Sequence, residues 1–348
     1  MSEIPLGALR FNSDSHKLEY WNGESWFQIH TASPDMARST DKRPGPRGIL
    51  AGGYVAPTNT AKVSYVNISS TGNAGDFGDL SVAKRYQAGA GSRTRGLILA
   101  GYTNSYQDTI TKTTIASTGS HESFGNTQHS GSNTGYLGHA CFSNQTRLVM
   151  FSGISPTAGQ LAKMKYVTIA ADGNTIDFGD MTYHFRYGSA TGSKIRAMSM
   201  GGYGGSSATN TINVITISTT GDAQDFGDLS DYMSDGLGTT TNGIRTIVHI
   251  RNSSYSDVTL ESYDPTSGGT TIPWGDLSSQ RQFSPMNSCL SSPTRGLFPG
   301  GTVSPGGAGA DGTIDYVEFA TQANAVDFGD MHTASGAGSY FSSAHGGL

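Results

Sequence analysis

The chain has 348 residues, a formal net charge of −5, and only 14% charged residues against 48 glycines. Its scattered basic residues give no footprint for nucleic acid, no apolar run reaches membrane-spanning length, and MSEIPLGALRF does not read as a signal peptide. Two cysteines, Cys141 and Cys289, are too few for a disulfide scaffold and are expected as small buried thiols.

The head, residues 1–31, reads as a small β module. Strands are expected around Leu9–Asn12 and Leu18–Trp21, with Asn22-Gly23 as a hairpin signal and Trp26–Ile29 as the return strand. Phe11, Tyr20, Trp21, Trp26 and Phe27 are more aromatic surface than so short a unit can bury by itself. Residues 32–46, with Pro44 and Pro46 flanking Gly45, read as a linker.

From residue 47 the chain repeats. Asp-Phe-Gly-Asp occurs at 76–79, 177–180, 225–228 and 327–330, with variants Phe124-Gly125-Asn126 and Trp274-Gly275-Asp276. The aromatic residues of the six copies are 47, 54, 48, 48 and 54 residues apart, which marks a repeat architecture. An arginine opening an apolar run keeps the same beat: Arg47, Arg95, Arg147, Arg196, Arg245 and Arg295. Between the two landmarks lies a Thr/Val/Ile/Tyr-rich segment such as KVSYVNISSTG (62–72), and after the second comes a stretch such as SVAKRYQAGAGS (81–92).

These are four short strands per repeat, the content of a propeller blade. The expected fold is all-β: a six-bladed propeller over 47–348, its C-terminal strand completing the blade begun near residue 47 in a velcro closure. An open solenoid is the runner-up.

Recurrence in register also shapes the reading of single residues. Each arginine is expected to lie between blades and bond carbonyls or carboxylates, with an anion-binding channel as the alternative. In each copy one aspartate is expected to accept backbone N–H groups and the other to pair with a repeat arginine, with Asp79, Asp180, Asp228, Asp276 and Asp330 as structural residues of the repeat. Calcium is the alternative there, but two carboxylates per copy are few for that ion. A kinase Asp-Phe-Gly would be a single copy with companions absent here. Tyr54, Tyr102 and Tyr203, each just after the glycines, are either packing residues or a partner-binding, glycan-stacking rim. His121 and His129 lack metal-ligand spacing, and neither metal nor cofactor is expected.

The apolar strand, glycine pair and tyrosine (Gly52-Gly53-Tyr54, Gly201-Gly202-Tyr203, Gly300-Gly301) resemble kelch-type propellers, with the Asp-Phe-Gly-Asp landmark replacing the late tryptophan except at Trp274. The phrase YVNISSTGNAGDFGDL (65–80) and its echoes resemble repeats of structural proteins of marine, especially cyanobacterial, tailed phages. GALRFNSDSHKLEYWNGESW resembles short N-terminal modules of phage fibres and appendages. The resemblance implies a non-enzymatic virion protein made in the host cytoplasm: capsid decoration, fibre or tail appendage. It would attach to other virion proteins through Arg10, Phe11, Tyr20, Trp21 and Trp26 and present the propeller to a host-surface glycan or protein, in several copies per particle, with no nucleic-acid or membrane partner. Two competing readings are an envelope-polysaccharide hydrolase, for which Glu122 and Glu261 are non-repeat acids, and a cellular kelch-type interaction module.

Overall fold

The computed structural model describes residues 4–13, 17–28, 45–127, 135–156, 159–234, 237–250, 258–283, 287–288, 290–303 and 309–348. Cys289, His16, His30, His129 and nearly all of the linker at 32–46 lie outside the described residues. Every helix or strand among them is a β-strand. The chain divides into two units, Met1–Pro44 and Gly45–Leu348.

In the first unit, strands Leu9–Asn12, Lys17–Trp21 and Trp26–Gln28 form one antiparallel sheet. Its hairpin closes through Asn22, whose side-chain Oδ1 accepts N–H bonds from Glu24 and Ser25 at 2.9 and 2.8 Å.

In the second unit each repeat aligns four antiparallel strands in one order, and two parallel pairs join neighbouring repeats, Gln224–Met233 with Gly269–Thr270 and Gly238–Thr241 with Asn287–Ser288. The second repeat illustrates the order: Ala88–Gly91, Arg95–Tyr102, Tyr106–Thr114 and Glu122–Asn126 lie side by side. The stretch after each aromatic landmark thus pairs with the arginine strand of the following repeat. By the same rule the last strand, Ser339–Ser342, pairs antiparallel with Arg47–Val55. The third and fourth repeats join into one large sheet, because Ile176–Arg186 runs on and pairs with the short strand Tyr203–Gly204.

The arginine strands are apolar without alternation, and their packing explains why. Ile49 and Ala51 join a core with Ile98 and Ile115 of the second repeat, whereas Leu50 joins another with Leu297 and Phe328 of the sixth. Successive side chains point to opposite faces, so a strand covered on both faces needs apolar residues throughout. Among the described residues six such cores form, each shared by consecutive repeats, the last by the sixth and the first.

The Asp-Phe-Gly-Asp strand carries a β-bulge. In the first repeat Lys62 faces Asp79 and Val63 faces Gly78, but Ser64 faces Asp76, which leaves Phe77 as the extra residue. The same shift recurs at Phe124, Phe178, Phe226, Trp274 and Phe328. All but the half-buried Phe226 are buried. The following glycine lets the next repeat come close. A Cβ on Gly227 would stand 1.9 Å from the Gly269 carbonyl oxygen, at a φ of +134°.

At the far end of the arginine strand the Gly-Gly pair also takes positive φ and shifts the register between Ala51 and Gly53. Where the first glycine is missing, Ala100 and Ser152 adopt positive φ in its place.

Candidate functional site

The arginine strand has two chemically different ends. At its start, each guanidinium crosses to the following repeat. Arg47 Nη1 donates to the Ile115 carbonyl at 2.9 Å, Arg95 to Ile169 at 2.9 Å, Arg147 to Ser218 at 2.7 Å and Arg196 to Thr266 at 2.8 Å. Arg245 donates to Phe319, and Arg295 reaches Ser69 of the first repeat at 3.2 Å. Five of these guanidiniums also lie over a ring: Arg47 on Tyr65, Arg147 on Tyr166, Arg196 on Phe226, Arg245 on Trp274 and Arg295 on Tyr316, at 4.3 to 5.0 Å. In the second repeat Lys112 occupies the position of Tyr65, and both Arg95 and Lys112 bond Asp172 instead.

The expected pairing of one aspartate per copy with a repeat arginine is corrected. Asp79 pairs with Lys62 at 3.1 Å and Asp180 with Lys163 at 2.7 Å. Register supplies the reason: those lysines face those aspartates across the ladder, while Arg47 faces Asn67 and Arg147 faces Thr168, farther along the same strands. The aspartates raise both lysine pKa values, by hydrogen bonding first and charge second. Asp228, Asp276 and Asp330 act through the backbone. The Asp276 and Asp330 N–H groups donate to Asn324 and Asn73 at 3.1 and 3.0 Å, and the Asp228 carbonyl accepts from Thr271. The first aspartate caps the bulge at Asp225 and Asp327, whose carboxylates accept from the Gly227 and Gly329 N–H groups.

The other end of the strand carries Tyr54, Tyr102 and Tyr203, all half-buried. Each bridges to the segment just before the short strand that flanks the arginine strand: Tyr54 to Gly336, Tyr102 to Arg85 and Tyr203 to Arg186. The Arg85 guanidinium lies 4.5 Å from the Tyr54 ring, 5.3 Å from Tyr86 and 5.6 Å from Tyr102. Arg186 lies 4.5 Å from Tyr203 and 5.4 Å from Tyr187. The Tyr86 and Tyr187 rings, from the second and fourth repeats, meet at 6.3 Å. One array therefore runs Tyr54, Arg85, Tyr86, Tyr187, Arg186, Tyr203.

Sequence reading missed the middle four, yet a signal existed. Arg-Tyr occurs at 85–86 and again at 186–187, each ten residues before a repeat arginine. Neither guanidinium has a hydrogen-bond acceptor or ion-pair partner among the described residues, and the Nε of each is shielded from solvent.

In the sixth repeat the same level is closed off. Arg281 precedes Gln282, the bridge partner of Thr302, as Lys84 precedes Arg85. Its guanidinium is buried, 2.8 Å from the buried Asp315 carboxylate, which also accepts from the Ser278 hydroxyl and N–H. Lys84 is buried too, donates to the Ala100 carbonyl at 2.9 Å, and has its pKa pulled down to about 8 by burial.

Other candidates are dispersed. Cys141 is buried and free, and burial raises its pKa. His121 is buried near Phe77, with its pKa lowered to about 4 by burial. Glu122 is exposed, 4.0 Å from Lys112, while Glu261 is buried and accepts from the Ser230 hydroxyl at 2.6 Å. Among the described residues no three His, Cys, Asp or Glu side chains gather as metal ligands.

In the first unit the residues expected for attachment fall on two faces. Leu9, Phe11, Leu18, Tyr20 and Phe27 share one, all exposed, Phe11 at 66%. Arg10, Trp21 and Trp26 share the other. There the Arg10 guanidinium lies 4.2 Å from the Trp26 ring and bonds the buried Glu19, and the two tryptophans meet at 5.5 Å. No family model matches the chain, and no curated protein matches it.

Proposed function

We propose that Gly45–Leu348 is a closed, kelch-like six-bladed β-propeller, and that the chain is a non-enzymatic structural protein of a tailed-phage virion that displays this disc for adhesion. The observation that carries the proposal is the cycle of arginine bonds, in which each repeat holds the next and Arg295 of the sixth holds Ser69 of the first. The pairing of Ser339–Ser342 with Arg47–Val55 supports the same closure. A ring whose repeated charged groups are consumed as bolts is a rigid scaffold, and what varies between repeats is left to recognise partners.

The first unit supplies the tether. Its exposed face of Leu9, Phe11, Leu18, Tyr20 and Phe27 is an apolar patch of the kind that marks an interaction site, and the partner proposed for it is another virion protein. Many tethered discs on one particle bind a surface by avidity even when each is weak.

Particle averages of the purified chain by electron microscopy test the ring: six radial blades are expected, and an open spiral would refute it. Mass spectrometry of purified particles tests the role. Recovery from particles is expected, and finding the chain only in the cell fraction would make it a cellular interaction module. Cleavage of envelope polysaccharide by the purified chain would move it to the hydrolases.

A further inference from the structure

We propose that the array of Tyr54, Arg85, Tyr86, Tyr187, Arg186 and Tyr203 is a binding site for an acidic polysaccharide, a chain of pyranose rings bearing carboxylates. This deepens the adhesion role proposed above, on which it rests for the source of the glycan.

The arginines set this site apart. Those at the start of the arginine strands donate to carbonyls of the following repeat, and Arg281 is buried against Asp315. Arg85 and Arg186 break that pattern, for each is held against two or three tyrosine rings with no acceptor among the described residues. A guanidinium held against rings with its Nε shielded from solvent keeps its two terminal amino groups as the donors left for a ligand. That arrangement suits a carboxylate, which accepts two parallel N–H bonds. Because the rings already fix the side chain, little conformational freedom remains to be lost on binding.

The tyrosines decide between anions. Half-buried rings beside the cations add apolar surface for the C–H groups of a sugar, which a lone carboxylate or a phosphate would leave unused. A nucleic acid would bring many phosphates to a chain of net charge −5, against the long-range field. The contact between Tyr86 and Tyr187 joins the two cationic stations into one track across repeats that are not neighbours in sequence. An extended polymer with recurring carboxylates fits that track better than a compact ligand.

The test is calorimetric titration of the full chain with polygalacturonate and hyaluronate, beside dextran as the neutral polymer and polyglutamate as the acidic polypeptide. Binding of at least one uronate polymer is expected, weakened by salt, with no binding of dextran. Arg85→Gln and Arg186→Gln are each expected to lower affinity about tenfold, the scale of one lost charge-assisted bond. Arg93→Gln and Lys194→Gln, exposed residues at the opposite end of their sheets, are expected to leave it unchanged. Arg186→Lys keeps the charge but loses the fork, so it is expected to weaken binding while preserving the melting temperature, which covers the case in which the glutamine variants fail to fold. No uronate binding at millimolar polymer, equal binding of polyglutamate, or affinity indifferent to Arg85 and Arg186 would each overturn the proposal. Absence of the chain from particles would remove the virion role and leave this site standing.

Discussion

The two ends of one strand, Arg95–Tyr102, put the same cation to opposite uses. At the start, Arg95 spends its donors on the Ile169 carbonyl and Asp172 of the following repeat. At the finish, Tyr102 lies 5.6 Å from the Arg85 guanidinium, whose donors meet no protein acceptor among the described residues. The first end is built to hold repeats to one another, and every repeat needs it, so it recurs six times. The second end is not required for that, and it differs from repeat to repeat: Arg85-Tyr86, Leu137-Gly138 and Arg186-Tyr187 stand at one level. A residue that recurs in register marks cohesion, while one that recurs in part marks a surface free to vary.

The largest expected effect lies at the second end, in the sixth repeat, where Arg281, at the position of Lys84, is buried. Asp315→Asn leaves the Arg281 charge buried without its partner, and breaking a buried pair in this way costs about 3–5 kcal/mol. Urea denaturation is expected to show a loss of that size. A loss below about 1 kcal/mol would mean that water reaches Arg281, and the contrast with Arg85 would collapse.

Next comes the packing of repeat against repeat. Gly227→Ala places a methyl 1.9 Å from the Gly269 carbonyl oxygen, whereas at Gly205, with φ +85°, no atom lies within 4 Å. Overpacking together with backbone strain costs about 3 kcal/mol at the first site, and strain alone costs about 1 kcal/mol at the second. Equal losses in the two variants would show that the glycine is kept for its φ and not for the approach of the next repeat.

Acidity probes buried histidines at both ends. His345 Nε2 lies 3.1 Å from the Gly91 carbonyl oxygen and 3.3 Å from Ser143 Oγ, and burial lowers its pKa to about 4. Burial lowers His139 to about 3 and His121 to about 4. All three are neutral in the fold, so between the ordinary value of 6.5 and these lowered values the unfolded chain binds protons more tightly. Stability is therefore full above pH 6.5 and falls as pH drops toward 4, by at most about 1.4 kcal/mol per pH unit for each histidine. Urea midpoints between pH 7.5 and 5 measure the slope, and His345→Gln is expected to flatten it.

What the sequence made legible follows the same division. The strand content, the all-β class and the beat of the repeat come from local pattern: apolar runs, Thr-Gly stops and the recurring Phe-Gly. The partners of charged groups were less legible, because they depend on register. Asp79 meets Lys62 and not Arg47 through a bulge at Phe77 that no spacing announces. The Arg281–Asp315 pair joins residues separated in sequence by the strands Leu290–Ser291 and Arg295–Pro299, so only the folded sheet brings them together. Tyr54, Tyr102 and Tyr203 were visible because glycines precede them, but the Arg-Tyr dipeptides that complete the array hid inside what reads as plain connecting strand.

The comparison sharpens when one substitution is made at each end. Arg147→Gln removes donors from the Ile217 and Ser218 carbonyls and is expected to cost about 1–2 kcal/mol. Arg186→Gln removes only stacking on Tyr187 and Tyr203, about 0.5–1 kcal/mol. The first variant is expected to lose stability and the second to lose ligand. A reversal of the two would assign cohesion to the tyrosine end.

The smallest effect on stability is expected in Met1–Pro44, where the aromatic residues divide by face. Trp21 and Trp26 share a face with the Arg10–Glu19 pair, so replacing either removes internal contacts of the sheet. Phe11 and Tyr20 are exposed at 66% and 40%, so Phe11→Ser with Tyr20→Ser is expected to shift the melting temperature by less than about 1 °C. On the virion role proposed above, the same double variant is expected to lose incorporation into particles, since an exposed apolar patch of this kind marks an interaction site. Counting the variant chain in purified particles measures this. Normal incorporation at unchanged stability would transfer attachment to the opposite face, where Arg10, Trp21 and Trp26 lie, and a large loss of stability would make the exposed face part of the fold.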